Sequence, residues 1–120
     1  MPTLELKTNV KVANPKELMA DFAKLAADLL GKPLPSISTS YTYNETLTFA
    51  GTFDPAFILN ITSLGNINPE ANETYSQKLF AYFGEKLSVP HDRAYITFID
   101  PGNANIGFKS THFGIIFGKN

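Results

Sequence analysis

Asn14-Pro15-Lys16-Glu17-Leu18 decides how this chain is read, because its opening has a second occurrence in Asn68-Pro69-Glu70, 54 residues further on. Each copy starts with an asparagine, whose side chain accepts from an orphaned helical N–H. A proline follows at the first helical position, where no N–H is required. Glu17, at the third position, completes a capping box. From the first start, Leu18, Phe22, Leu25 and Leu29 recur at spacings of four, three and four, and Met19, Ala26 and Leu30 widen the same apolar stripe. Gly31 ends that helix and Pro33 prevents its continuation. From the second start, Tyr75, Leu79, Tyr82 or Phe83, and Leu87 form the buried side.

Strand patterns flank both helices. Thr3 to Thr8 alternates, with Leu4 and Leu6 on one face and Glu5 and Lys7 on the other. Ser36 to Tyr43, Ala56 to Leu64 and Arg93 to Ile99 read as strands, and Thr46 to Phe49 as a short one before the turn-rich Ala50 to Pro55. Two tail pieces, Asn105 to Phe108 and Phe113 to Phe117, look β-like. Strand, helix, strand thus occurs twice. Two β-α-β repeats predict an α+β fold in which a four-stranded mixed sheet carries both helices on one face. With no third long helix, the other sheet face is open, and another subunit is expected to cover it.

Composition narrows the function. The 120 residues form one domain by length. Area scaling gives about 19,000 Å² unfolded and about 6,400 Å² folded, enough burial for a true core. Ten Lys/Arg against eleven Asp/Glu leave a net charge of −1, without the basic excess of a nucleic-acid binder. The absence of cysteine excludes disulfides, thiolate zinc sites and a cysteine nucleophile. With only His91 and His112, a histidine-rich metal site is not expected. No apolar run approaches the roughly 20 residues that span a bilayer. Met1 to Lys7 lacks the features of a signal peptide, so the expected location is cytoplasmic, with secretion only by a route that needs no such peptide.

Most polar residues have ordinary roles. Asp21, Asp28 and Glu85 sit at solvated helix positions, Tyr41 and Tyr43 pack on a strand, and His91 after Pro90 suits a turn or a helix C-cap. Pro2 is different. Methionine is readily removed before proline, which leaves a secondary amine at the start of a strand. An α-amino group titrates near about 7.7–8, and burial together with a nearby cation pushes it lower. A neutral amine is a base or a nucleophile.

Pro2 with Leu4-Glu5-Leu6 and Thr8-Asn9-Val10 resembles the opening of the macrophage migration inhibitory factor and D-dopachrome tautomerase family. Six further segments agree in order: Leu30 to Pro33, Leu47 to Gly51, Asp54 to Ala56, Ile61 to Gly65, Asp92 to Ile96, and Asp100 through Asn105-Ile106-Gly107-Phe108. The resemblance covers the chain except the tail beyond Phe113. It implies a single tautomerase domain over 1–120 and a homotrimer of β-α-β repeats around a central channel. It also implies cofactor-free, metal-free keto–enol tautomerisation of phenylpyruvate-like aromatic keto acids or of dopachrome. Pro2 matches the family's catalytic base, and Lys32 the lysine that binds the substrate carboxylate and lowers the proline pKa. On the residues alone, Lys32 after a helix-ending glycine could equally bind the last helix carbonyls. Ser63 and Leu64 match the segment that contacts substrate. Tyr95 and Thr97 match pocket positions contributed by the neighbouring subunit, and Ile106, Phe108 and Phe113 the apolar rim.

Departures from the pattern bear on the pocket and on thiol chemistry. Ser36 replaces an aromatic pocket residue, Thr97 an asparagine and Phe108 a tryptophan, so substrate preference is expected to differ. Ala56-Phe57-Ile58-Leu59 stands where the family's cytokine carries CxxC, which excludes thiol oxidoreductase activity. The alternative function is a non-catalytic, trimeric cytokine-like signalling protein read by a protein receptor. Neither reading involves nucleic acid or membrane.

Overall fold

A computed structural model of the chain describes residues 1–119; Asn120, the end of the tail, lies outside them. The elements run β1 (Thr3–Thr8), α1 (Pro15–Leu30), β2 (Ser38–Tyr43), β3 (Phe57–Thr62), α2 (Pro69–Leu87), β4 (Ala94–Ile99), β5 (Gly107–Phe108), β6 (Thr111–His112) and α3 (Phe113–Phe117). β1 to β4 form one sheet in the order β2-β1-β3-β4. The outer pairs are parallel and the central β1–β3 pair is antiparallel, so two β-α-β units lie side by side in a mixed α+β sheet.

Both helices begin as their caps dictate. Asn14 Oδ1 accepts from the Glu17 N–H, and Asn14 Nδ2 donates to the Glu17 carboxylate at 2.9 Å. Asn68 Oδ1 accepts from the Ala71 N–H at 2.9 Å. The α1 stripe Leu18, Phe22, Ala26 and Leu30 and the α2 stripe Tyr75, Leu79, Phe83 and Leu87 are all buried. They pack on one sheet face, against Leu4, Leu6, Phe57, Leu59 and Ile61. Phe83 links the layers, with its ring 4.8 Å from Phe22 and 5.3 Å from Phe57. Outside this core the Tyr82 hydroxyl donates to the exposed Asp21 carboxylate at 2.6 Å and ties α2 to α1.

The opposite face is polar. It carries Thr3, Glu5 and Lys7 from β1, Ser38, Ser40 and Thr42 from β2, and Asn60, Thr62 and Thr97 from β3 and β4. Apolar exceptions are Ile58, Tyr95 and Ile99, toward the β4 edge. A face of this composition has little apolar area to hide, so it does not by itself call for a covering layer. The subunit is nevertheless open in shape. Its extents are 46 × 29 × 24 Å, its radius of gyration is 15.1 Å against about 13.6 Å for a compact domain of this length, and its surface is 7043 Å² against the expected value of about 6,400 Å².

Three local expectations need correction. Leu34–Ser36 is a 3₁₀ turn, closed by Ser36 N–H to Pro33 O and Ile37 N–H to Leu34 O, so β2 begins at Ser38. Pro33 and Pro35 preset this turn by fixing φ. Thr46 to Phe49 is no strand. Phe49 and Thr52 instead exchange two backbone bonds of 3.0 Å across a turn with positive φ at Ala50 and Gly51, the geometry of a primed hairpin turn. Phe113–Phe117 is helical, because Gly118 at φ 70° lets Lys119 N–H reach Gly114 O at 2.9 Å and Gly118 N–H reach Ile115 O at 3.1 Å. Of the two roles open to His91, the structure shows the turn: Ser88 (φ 54°) is the C-cap of α2, and His91 lies exposed in the turn beyond it.

Asn9 organises the long β2–β3 connection. Its Nδ2 donates to the carbonyls of Leu47, Phe53 and Asp54 at 3.0–3.2 Å, and its Oδ1 accepts from Ala56 N–H at 2.9 Å. Next to it, Thr8 Oγ1 donates to Ala56 O at 2.7 Å from a fully buried position. Asn9→Ala removes all four bonds, of which those to Leu47 O and Ala56 N–H are part-buried, and a typical hydrogen bond contributes about 0.5–1.5 kcal/mol net. Urea denaturation at fixed protein concentration should therefore show a lower midpoint with an unchanged m-value. An unchanged midpoint would mean that water replaces Asn9 at no cost.

Candidate active site

The amino end of the chain is built into the sheet. Ser38 N–H donates to Pro2 O at 3.1 Å, which carries the β1–β2 ladder back to residue 2, and Pro2 is fully buried. Met1 lies over it, half-buried, with its ammonium donating to Ser36 O at 3.0 Å. That ammonium titrates below the usual α-amino value, first because burial disfavours the cation and second because Lys32 places a positive charge nearby.

The end of α1 fixes Lys32. Gly31 takes the left-handed conformation (φ 66°), which turns the chain so that Lys32 N–H donates to Ala27 O at 3.1 Å. The backbone of Lys32 thus caps the helix. Its ammonium does not: Nζ donates to Leu64 O at 3.2 Å, across the sheet end from its own helix. The last carbonyl of α1, Leu30 O, is taken by Asn66 Nδ2 at 2.9 Å. Between the two readings of Lys32 left open by the sequence, the side chain is therefore a cleft residue.

Met1, Lys32 and Leu64 share a cleft of about 590 Å³ with Ser36, Phe108 and Phe113. Pro33, Pro35 and Phe117 complete its wall. The three phenylalanines form a stack, with Phe108 and Phe113 centroids 5.5 Å apart at 8° and Phe113 and Phe117 5.0 Å apart at 26°. Ser36 adds no free donor, because its Oγ is bonded to Pro33 O at 2.8 Å. The site is an aromatic cleft that contains the Lys32 ammonium and the amino-terminal residue. Among the described residues no cluster of three or more His, Asp or Glu could hold a metal ion.

Not every candidate residue reaches this cleft. Lys32, Leu64, Phe108 and Phe113 line it, while Pro2, fully buried next to Met1, is not in the lining. Ser63 is fully buried outside the lining, its N–H donates to Ile99 O, and its Oγ has no partner among the described residues. Ile106 acts through its backbone, whose carbonyl accepts from Phe113 N–H at 3.1 Å. Tyr95 and Thr97 point from the far face of β4, where Tyr95 is 67% exposed and its ring lies 5.0 Å from Phe49. A single subunit does not bring them to Lys32. Met1, Pro33, Pro35 and Phe117 line the cleft without being candidate site residues; for Phe117 the sequence suggests only that the tail beyond Phe113 could pack on a neighbour or shield the pocket. The spacing of four between Phe113 and Phe117 is a helical signal, hidden by reading the tail as a strand.

Comparison with known proteins agrees with this geometry. The family model described as "Macrophage migration inhibitory factor (MIF)" matches residues 1–114. The chain is 31% identical to the macrophage migration inhibitory factor homolog of Trichinella spiralis over 94% of this chain and 100% of that one. It is 32% identical to the macrophage migration inhibitory factor of Xenopus tropicalis over 94% and 99%. The solved Trichinella spiralis structure superposes with a TM-score of 0.87 at 29% identity, covering 92% of this chain and 99% of that one. The homologue from Prochlorococcus marinus gives 0.87 at 26% identity over 93% and 99%. On its mixed sheet and its sequence, the chain belongs to the macrophage migration inhibitory factor family, with the tautomerase-superfamily fold.

Proposed function

We propose that the chain is a keto–enol tautomerase of phenylpyruvate-like or dopachrome-like compounds, with Pro2 as the acid/base catalyst once Met1 is removed and Lys32 as the carboxylate anchor. The observation that carries this reading is the position of the amino end, at an aromatic cleft that contains the Lys32 ammonium. Removing Met1 frees the Pro2 nitrogen one residue from the Met1 amine, which burial and then Lys32 hold below the usual α-amino value. The neutral secondary amine takes a proton from the carbon beside the substrate carbonyl. The electron pair of the broken C–H bond becomes the enol double bond, and the proton is returned to the carbonyl oxygen. Lys32 has three N–H donors, of which Leu64 O takes one, leaving two for a carboxylate. Phe108 and Phe113 supply apolar ring surface in the cleft for the substrate's aromatic group. No metal or cofactor takes part.

Tyr95 and Thr97 enter this site from a neighbouring subunit in a proposed homotrimer. The extended shape supports assembly, and the polar sheet face suits the wall of a water-filled channel. Light scattering coupled to gel filtration should give about three times the 13.2 kDa subunit mass. A monomer at micromolar concentration would remove both the trimer and the shared pocket.

Met1 decides activity. While it is attached, Pro2 nitrogen is a tertiary amide with no basic lone pair and no proton to return. Intact-mass spectrometry separates processed from unprocessed protein, and only the processed form should tautomerise enol phenylpyruvate. Equal rates for the two forms would eliminate Pro2 as the base. An inactive processed form would favour the non-catalytic signalling protein.

Lys32→Ala should weaken carboxylate substrates and shift the pH profile in a defined direction. A base works when unprotonated, so kcat/KM rises with pH through the pKa of free Pro2. Lys32 disfavours protonation; without it that pKa increases, and the acid limb moves to higher pH. Superimposable profiles for mutant and wild type would exclude Lys32 from the site's electrostatics.

A further inference from the structure

The family match ends at residue 114, yet the chain continues into α3 and places Phe117 in the cleft wall. We propose that Phe117 is a specificity-determining residue, the third ring of an aromatic wall that favours ligands carrying both a flat aromatic ring and a carboxylate. This rests on the tautomerase reading for its substrate class, and on the cleft geometry for everything else.

The segment is held in position. Phe113 N–H bonds back to Ile106 O at 3.1 Å, which fixes the start of α3. The left-handed Gly118 and its two closing bonds to Gly114 and Ile115 fix the end. Asn103 Nδ2 then donates to Lys119 O at 3.1 Å, fastening the last described residue to a second 3₁₀ turn, Asn103–Asn105. These bonds hold Phe117 within 5.0 Å of Phe113 although its ring is 52% exposed. A phenyl ring this open adds little to the core, since burial is what stabilises it. Its contact is with the cleft. The Phe108–Phe113 pair alone gives a wall two rings long, and Phe117 extends it toward a cleft that Ser36 leaves without a large side chain. In the same cleft the Lys32 ammonium has two N–H donors free of Leu64 O. Charge and extended aromatic wall together match an aromatic carboxylate better than an aliphatic one.

Calorimetric titration of the full chain with phenylpyruvate and with 2-oxobutanoate tests this without requiring turnover. An aromatic pair contributes about 0.5–1.5 kcal/mol beyond area, which corresponds to a factor of about 2–13 in affinity. Phe117→Ala and Phe117→Leu should each weaken phenylpyruvate about five- to tenfold and leave 2-oxobutanoate within twofold. Phe117→Tyr should restore wild-type affinity. Ile115→Ala, on the same helix but outside the cleft lining and 66% exposed, should bind both compounds like wild type. In an active enzyme the Phe117→Ala loss should fall on KM, with kcat within twofold, because a phenyl ring has no acidic or basic group to take part in the proton transfer. Equal losses for both keto acids, no loss with Phe117→Ala, or no phenylpyruvate binding by wild type would each overturn the inference. Ring-dependent binding by a chain that cannot tautomerise would uphold Phe117 and overturn the activity instead.

Discussion

The hydrogen bond from Ser38 N–H to Pro2 O is the constraint on which the site depends. Chain termini ordinarily fray, because nothing on one side holds them. Here β1 is a central strand, paired with β2 on one side and β3 on the other, and the first ladder bond already engages residue 2. Pro2 therefore has a fixed place set by the whole sheet. A proline costs this ladder little at that position, since it accepts through its carbonyl and the missing N–H lies at the strand's start. The same fixing makes Met1 consequential, because the residue attached to this buried proline is part of the cleft lining.

The second dependence is on the way α1 stops. Gly31 in the left-handed region lets the chain reverse, and Lys32 N–H then satisfies Ala27 O. A helix end normally attracts cations through its dipole, so an ammonium one residue later would ordinarily fold back onto α1. Asn66 prevents the competition by occupying Leu30 O with its own amide, leaving Leu64 O as the Lys32 acceptor. Asn66 O in turn accepts from the Tyr75 hydroxyl at 2.7 Å, so α2 braces the loop that redirects the lysine. Burial of that hydroxyl raises the Tyr75 pKa, which keeps it a neutral donor. The orientation of one cation thus depends on the ends of both helices.

Much of this was legible in sequence because it is local chemistry. The caps at Asn14 and Asn68, the stop at Gly31 and the alternation of β1 each depend on residues within a turn of one another, and the repeat then yields the sheet. What failed to read was decided at longer range or by turns that look like strands. Phe113 to Phe117 is a short apolar run that periodicity cannot assign, and its helical state depends on Gly118. Thr46 to Phe49 has strand composition, but Asn9, some forty residues earlier, anchors its connection as a loop. In the site, Lys32 and Phe113 could be matched by motif. Phe117 lies beyond the matched residues, and its spacing of four from Phe113 becomes a signal only once the tail is read as a helix.

The sheet also dictates how the remaining candidate residues relate to the cleft. Residues of β4 alternate, so Ala94, Ile96 and Phe98 face the helices while Tyr95 and Thr97 face away. No rotamer change carries a side chain through a hydrogen-bonded sheet, so the exclusion of Tyr95 and Thr97 from this subunit's cleft is topological. β4 is an edge strand, however, and beside its exposed Tyr95 lies Phe49 from the hairpin turn, with the Arg93 guanidinium 5.5 Å over the Phe49 ring. An edge bearing exposed aromatic residues is a surface that proteins usually cover. If the proposed homotrimer covers it, Tyr95 and Thr97 are delivered to a neighbour's cleft by the same contact that buries the edge. On that reading, a complete pocket and a stable assembly are one requirement, met by the alternation of a single strand.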